Sequence, residues 1–107
     1  MEEVYIGVGS NVGDRKANLN NASCKLSEFM IVTNKSGVYE TEPQYFLKQA
    51  KFLNAVLCGY TDFEPLDMLG KLKKLETLLG RVDGPRNGPR LIDLDLLYYG
   101  RRCISTD

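Results

Sequence analysis

The chain has 107 residues, and its 14 basic side chains are balanced by 14 acidic ones. This length predicts a single domain over residues 1–107, and a hydrophobic content of 43% is typical of a globular protein. Zero net charge lacks the basic excess of non-specific nucleic-acid binders, and no apolar run is long enough to cross a membrane. The absence of histidine excludes Ser-His and Cys-His catalysis. The cysteines form no CxxC pair and predict reduced, mostly packed thiols in a cytoplasmic protein: Cys24, Cys58 and Cys103.

The hydrophobic pattern predicts four strands and two helices in the order βαββαβ. The first strand covers residues 4–8, and its apolar side chains share one face: Val4, Ile6 and Val8. A first helix follows, with apolar residues at steps of three and four: Leu19, Ala22, Leu26 and Phe29. The second strand is expected over residues 31–40, a polar loop over 41–51, and the third strand over 52–60.

The second helix is predicted by an apolar stripe: Leu66, Leu69, Leu72, Leu75 and Leu79. Its start has two interpretations, a capping box of Thr61 with Glu64 or Pro65 in the first turn. Gly80 is expected to end the helix in the left-handed conformation. A fourth strand covers residues 91–99, and residues 100–102 are expected to turn away from it. This order is typical of an α+β, ferredoxin-like βαββαβ sandwich, in which two helices cover one face of an antiparallel four-stranded sheet.

Two carboxylates, Asp93 and Asp95, interrupt the apolar fourth strand. Alternation places them on one face, about 7 Å apart along the chain, and places the apolar residues on the other: Ile92, Leu94, Leu96 and Tyr98. Aspartate is a poor strand former and the like charges repel, so we expect a cation nearby. Hard cations such as Mg²⁺ take carboxylate oxygens and keep positions for water or phosphate. The alternative is an exposed sheet face whose polar positions happen to be aspartates.

The segment before this strand, residues 80–90, is rich in arginine and glycine and contains Gly-Pro-Arg twice. Arginine offers a planar fork of donors that suits phosphate, and glycine lets the backbone approach a ligand closely. Together with the two aspartates, this segment predicts a metal–polyphosphate site. The alternative is a structural ion cluster, in which the arginines neutralise the aspartates directly.

Two other binding patterns fit poorly. Gly7-Val8-Gly9 follows a strand, but Val12 stands where a dinucleotide-binding motif needs its third glycine. An RNA-recognition module shares the βαββαβ order, yet no RNP-like motif accompanies Tyr5 or Phe52.

The sequence Arg-Asn-Gly-Pro-Arg-Leu-Ile-Asp-Leu-Asp-Leu-Leu at residues 86–97 closely resembles the signature of the 6-hydroxymethyl-7,8-dihydropterin pyrophosphokinase family of folate biosynthesis. Its basic-x-Gly-Pro-Arg-x-x-Asp-apolar-Asp spacing is kept throughout. Further segments resemble the family in the same order, at residues 5–11, 38–43, 52–55 and 76–81. The resemblance covers essentially the whole chain.

The resemblance implies transfer of diphosphate from ATP to the hydroxymethyl group of the pterin, with release of AMP. It implies that Asp93 and Asp95 are catalytic and hold two Mg²⁺ ions, and that Arg81 and Arg90 stabilise charge on the transferring phosphates. The pterin pocket would be lined by five residues: Thr41, Pro43, Gln44, Phe52 and Asn54. The nucleotide would lie near four: Glu76, Arg81, Arg90 and Leu96. The implied partners are these small molecules, without nucleic acid or membrane.

The sequence departs from the family pattern in two places. Glu42 stands where many members have another proline, and family members continue beyond the position of Asp107 with part of the ATP site and one wall of the pterin pocket. Two functions are therefore expected to compete. One is a pterin pyrophosphokinase or its N-terminal portion, and the other is a non-catalytic remnant that binds ligands or partners. Loss of the C-terminal cover would expose apolar surface, so self-association is a further expectation.

Overall fold

The computed structural model describes residues 1–41, 51–80 and 92–100, together with the backbone of residues 102–103. Within these ranges the elements are β1 (Glu2–Ser10), α1 (Arg15–Leu26), β2 (Ile31–Lys35), β3 (Tyr39–Thr41), β4 (Phe52–Thr61), α2 (Pro65–Leu78), β5 (Asp93–Tyr99) and β6 (Arg102–Cys103). The strands join one sheet in the order β2-β4-β1-β5-β6, and β3 pairs with the beginning of β4. Every pairing is antiparallel. The predicted α+β architecture of an antiparallel sheet with two helices is therefore confirmed.

The sheet differs from the four expected strands at two points. The predicted second strand is divided into β2 and β3 at Ser36, whose hydroxyl accepts a hydrogen bond from the Val56 N–H at 2.8 Å. The Ser36 N–H donates to the Val56 carbonyl at 2.8 Å, so a side-chain oxygen takes the place of one ladder carbonyl. After Gly100, whose φ is 60°, the chain does not turn away but returns as β6 to pair with β5.

The hydrophobic core lies between one face of the sheet and both helices. Val4, Ile6 and Val8 of β1 are buried in it, as predicted. The helices contribute six buried hydrophobic residues to the same cluster: Leu19, Ala22, Leu26, Met68, Leu72 and Leu75. Because both helices use this face, the opposite face of the sheet carries no helix among the described residues. That second face is where a ligand can reach the strands.

The structure distinguishes between the two predicted starts of α2. The helix begins at Pro65 and Glu64 makes no side-chain capping bond, so the Pro65 interpretation is confirmed and the capping box is wrong. Leu66 is 82% exposed, whereas Met68 is fully buried. The predicted stripe is therefore wrong at Leu66, because the first turn faces solvent there. Gly80 has a φ of 100°, which confirms a left-handed end.

A bulge in β5 changes the predicted alternation. Tyr5 pairs with Tyr98 while Ile6 pairs with Leu96, so Leu97 is an extra residue in the ladder. Beyond it the faces are exchanged, and Tyr98 is exposed while Tyr99 is buried. The prediction that Tyr98 shares a face with Leu96 is therefore wrong. Before the bulge the alternation holds, and the predicted apolar residues are buried: Ile92, Leu94 and Leu96.

Two further sequence predictions concern the packing of the cysteines and the absence of a membrane-spanning segment. Cys24 and Cys58 are free thiols, but Cys24 is exposed, so the expected packing is wrong for that residue. The side chain of Cys103 lies outside the described residues. In the described ranges, neither helix has the length and apolar character needed to cross a membrane.

Candidate functional site

The helix-free face of the sheet brings together the predicted site residues of three strands; we call it the carboxylate face. Gly9 of β1 lies between Asn54 of β4 and Asp93 of β5. Gly7 lies between Val56 and Asp95 in the same way. Because directly paired residues point to the same side of a sheet, Asn54, Gly9 and Asp93 form a row across the three strands.

At one end of this row, which we call the amide end, the side chains of Thr41, Phe52 and Asn54 lie close to Gly9. The Asn54 Nδ2 donates a hydrogen bond to the Thr41 Oγ1 at 2.8 Å. A Cβ placed on Gly9 would lie 2.9 Å from the Asn54 Oδ1 and 3.7 Å from the Phe52 Cδ1. The amide oxygen therefore projects over the glycine, where it can accept a hydrogen bond from a ligand N–H. The Phe52 ring beside it can stack against a flat heterocycle.

At the other end of the row, Asp93 and Asp95 are half-buried, and each lies opposite a glycine that has no side chain. No side chain of β1 therefore stands next to either carboxylate, although the Leu97 side chain approaches Gly7 and the Asn54 amide approaches Gly9. Among the described residues no group of three or more potential metal-ligating side chains lies together. A two-carboxylate site fits Mg²⁺, which is bound through one or two carboxylates together with phosphate oxygens and water.

Gly7 and Gly9 are candidate site positions that the predicted site residues did not include. Their signal was present, because glycine inside a strand weakens it and marks a close approach of a ligand or another backbone. The spacing of two also places both on one face. The Gly7-Val8-Gly9 pattern fits a dinucleotide motif poorly and also belongs to the family-like segment of residues 5–11; its place between Asn54 and Asp93 becomes visible only in the sheet.

Two residues predicted near the nucleotide make structural contacts. The Leu96 side chain is fully buried in the core, on the face opposite the carboxylates. Glu76 is 4% exposed, and its Oε2 accepts a hydrogen bond from the Leu94 N–H at 2.8 Å. The paired part of β6 faces only the last two residues of β5. Glu76 therefore accepts a hydrogen bond from an N–H group of β5 that pairs with no described strand.

This contact predicts a loss of stability when Glu76 is removed. Glu76→Ala leaves the buried Leu94 N–H without this acceptor, and we expect the free energy of unfolding to fall by about 1–3 kcal/mol. Glu76→Gln keeps an acceptor oxygen and should lose less. Urea denaturation measures both variants, with the exposed Lys73→Ala of the same helix as the control. Equal stability of Glu76→Ala and the control would contradict the structural role.

Arg81, Arg90, Pro43 and Gln44 lie outside the described residues. Their roles stay predictions.

The far end of the carboxylate face carries a tyrosine pair. The Tyr5 and Tyr98 rings meet edge to face, with centroids 5.8 Å apart. The pKa of Tyr5 is raised above its ordinary value, first by a hydrogen bond with the Cys58 side chain and then by the charges of Cys58 and Glu3. Its phenol therefore stays protonated at neutral pH and is unsuited to act as a base.

The helix-free face of this α+β sandwich thus carries a carboxylate pair on β5 and, two strands away on β4, an amide beside an aromatic ring. The chain belongs to the 7,8-dihydro-6-hydroxymethylpterin-pyrophosphokinase (HPPK) family, whose model matches residues 5–105. The family resemblance found in the sequence is thus confirmed.

Three relatives illustrate this membership. The chain is 45% identical over 109 residues to a folate synthesis bifunctional protein of Arabidopsis thaliana, a match over 100% of this chain. It is 43% identical to the 2-amino-4-hydroxy-6-hydroxymethyldihydropteridine pyrophosphokinase of Aquifex aeolicus over 99% of this chain. It is 39% identical to the Bacillus subtilis protein of that name over 96% of this chain. The chain spans only part of each relative's length, namely 22%, 66% and 63% respectively.

Proposed function

We propose that the protein transfers a diphosphate group from ATP to the hydroxymethyl oxygen of 6-hydroxymethyl-7,8-dihydropterin and releases AMP. The observation that carries this proposal is the row of Asn54, Gly9 and Asp93 across three strands. Neighbouring strands lie about 4.8 Å apart, so the amide and carboxylate ends of the row are about 10 Å apart. A heterocycle held at the amide end would therefore present a substituent to a phosphate held at the carboxylate end.

The fold proposed for this activity is the ferredoxin-like sandwich. Across the sheet the strands follow the order β2, β4, β1 and β5, which are the predicted second, third, first and fourth strands. Strand β3 is the second part of the predicted second strand and also pairs with β4. The short strand β6 extends this core at one edge. A cytoplasmic location, the absence of nucleic-acid binding and self-association stay predictions from the sequence.

Asp93 and Asp95 would hold the two Mg²⁺ ions of this reaction. When bound, the ions would neutralise charge on the phosphates and polarise the transferring group. Arg81 and Arg90 are proposed to stabilise the remaining negative charge through their guanidinium forks. Glu76 is proposed to act near the nucleotide by holding β5, which carries Asp93 and Asp95, in place.

The other residues would bind and orient the pterin. Asn54, fixed by its hydrogen bond to Thr41, would accept a hydrogen bond from a pterin N–H, and Phe52 would stack on the ring. Pro43 and Gln44 would complete the pocket. Leu96 would contribute only through its main chain, because its side chain is in the core.

In the proposed reaction the pterin hydroxyl oxygen forms a bond to the β-phosphorus of ATP. The bond between that phosphorus and the oxygen bridging to the α-phosphorus breaks, AMP leaves with this oxygen, and the hydroxyl proton is released. Such a transfer depends on positioning and charge neutralisation rather than on a covalent protein intermediate. A chain without histidine can therefore support it.

AMP formation from ATP, with the pterin and Mg²⁺ present, tests the proposal. We expect AMP and pterin diphosphate in equal amounts, and no AMP when the pterin is omitted. Binding of both ligands without AMP release would favour the non-catalytic binding module. A folded chain that binds neither ligand would contradict the proposal.

The close approach of the Asn54 amide to Gly9 gives a prediction about pterin binding. Gly9→Ala places a methyl group 2.9 Å from the Asn54 Oδ1, closer than such atoms approach, and so displaces the amide. We expect pterin affinity to fall about tenfold, as for loss of about 1.4 kcal/mol of binding free energy. Gly7→Ala is the matched variant, because the atoms nearest to its methyl group belong to the Leu97 side chain, the closest at 3.4 Å. Equal pterin affinity of the two variants, measured by fluorescence titration, would contradict pterin binding at the Asn54 amide beside Gly9.

A further inference from the structure

Arg15, the first residue of α1, joins three elements behind the amide end of the sheet. Its Nη1 donates to the Glu40 Oε2 at 2.9 Å and to the Lys51 carbonyl oxygen at 2.8 Å. Glu40 belongs to β3, and Lys51 directly precedes β4. One guanidinium nitrogen thus connects the helix to both strands of the β3–β4 pair.

Helix stability does not account for this arginine. The N-terminal turn of a helix favours negative charge, yet α1 starts with Arg15 and Lys16 and has no acidic residue in its first turn. The cap is already supplied by Asp14, whose carboxylate accepts from the Ala17 N–H at 3.1 Å. Lys16 is exposed and forms no ion pair with any described residue. The distinguishing feature of Arg15 is therefore its pair of contacts with the two strands.

These contacts lie directly behind residues of the amide end. Glu40 is paired with Leu53, while the next residue, Thr41, is paired with Phe52. Side chains alternate along a strand, so Glu40 points towards the helices and Thr41 towards the carboxylate face. The strand β3 has only three residues, all exposed, and it pairs with β4 alone among the described strands. Besides its ladder with β4 and the bond between Thr41 and Asn54, β3 is held by the Arg15 contacts.

We propose that Arg15 is a positioning residue for the pterin, an inference that rests on the proposed function. It holds β3 against β4, which keeps the Thr41 Oγ1 in place to accept from Asn54 and turns the Asn54 Oδ1 over Gly9. Arg15 touches neither substrate. Asp93 and Asp95 lie on β5, which β1 separates from β4, so nucleotide binding does not depend on the Arg15 contacts.

The test compares Arg15→Met with Lys16→Met, which removes the same charge from the adjacent position. Affinities for 6-hydroxymethylpterin and for a non-hydrolysable ATP analogue with Mg²⁺ are measured on the full chain. We expect Arg15→Met to weaken pterin binding about tenfold, as for loss of one well-placed charged hydrogen bond, and to leave analogue binding within about twofold. Lys16→Met should change neither affinity.

Two further variants separate positioning from general stability. Glu40→Gln leaves Arg15 in place and removes only the ion pair, so it should weaken pterin binding less than Arg15→Met. Arg15→Lys should restore part of the lost affinity, because lysine can still donate to Glu40. In the ligand-free protein, amide hydrogen exchange should be faster in Arg15→Met at Phe52 and Asn54, whose N–H groups face β3, with no change at Leu57, whose N–H faces β1. Should Arg15→Met not fold, Glu40→Gln and Arg15→Lys decide the question by the same affinities.

The outcomes distinguish this inference from the proposed function. If the wild-type chain binds no pterin, the proposed function fails and the positioning role fails with it. If the wild type binds pterin and Arg15→Met binds as tightly as Lys16→Met, only the positioning role is overturned. It is also overturned if Arg15→Met weakens pterin and nucleotide analogue equally, because that result indicates a general loss of structure.

Discussion

Replacing Asp95 with asparagine is expected to lower the rate of AMP release at least about a hundredfold, and Asp93→Asn should act similarly. Each substitution keeps the size of the side chain but removes a charged oxygen from the carboxylate face. Mg²⁺ would then be held more weakly, and less phosphate charge would be neutralised. Steady-state AMP formation measures the rate, and thermal unfolding with and without Mg²⁺ and an ATP analogue measures binding. We expect the wild type to be stabilised by these ligands and both variants to be unresponsive.

The same measurement separates a metal site from a structural ion cluster. Asp62→Asn is the control, because Asp62 is exposed and its side chain lies 3.6 Å from the terminal amine. In a metal site, the Asp93 and Asp95 variants unfold near the temperature of this control when no ligand is present. In a structural ion cluster, each variant would lose about 3–5 kcal/mol of stability and keep its response to nucleotide. That second pattern would contradict the proposed roles of the two aspartates.

Gly59→Ala is expected to produce the largest loss of stability of the substitutions considered. A Cβ on Gly59 would overlap the carbonyl oxygen of Ile31 and lie 2.9 Å from the Met30 Cε. The Ile31 oxygen is backbone, so β2 itself must move away from β4, where Gly59 pairs with Val32. We expect the free energy of unfolding to fall by about 3 kcal/mol, the upper part of the range for an overpacked core. Urea denaturation provides the measurement.

Gly70→Ala is the matched control for this prediction. Gly70 lies in α2, and a Cβ there would meet no atom within 4 Å. Alanine is preferred over glycine inside a helix, so this variant should gain about 0.5–1 kcal/mol. If Gly59→Ala were as stable as Gly70→Ala, the close approach of β2 to Gly59 would be wrong.

The parts of the fold that depend on local periodicity could be predicted from the sequence. Alternation in β1 identifies Val4, Ile6 and Val8 as core residues, and the same rule places Asp93 and Asp95 on the opposite face of the sheet. The family signature also names Asn54 and Thr41, which the structure joins by a hydrogen bond. These successes share a cause, because side-chain direction in a strand follows from its pleat.

Features that depend on contacts between distant segments could not be predicted in this way. The bulge at Leu97 has no local signal, because it is defined by the register between β1 and β5. The buried Met68 and exposed Leu66 are both apolar, and only the packing of α2 on the sheet distinguishes them. The contact of Arg15 with Glu40 joins residues 25 positions apart. Each of these features requires the tertiary arrangement before it can be recognised.

Paramagnetic broadening by Mn²⁺ tests most directly whether the carboxylate face holds the metal–nucleotide complex. Mn²⁺ takes the same oxygen ligands as Mg²⁺ and broadens the NMR signals of amides close to it. With an ATP analogue present, we predict broadening at Gly7, Gly9 and Asp95, and unchanged signals at Lys25 and Tyr60. Those two residues lie towards the other end of the molecule, in the last turn of α1 and near the end of β4. Broadening at Lys25 or Tyr60 with sharp signals at both glycines would contradict the location of the site.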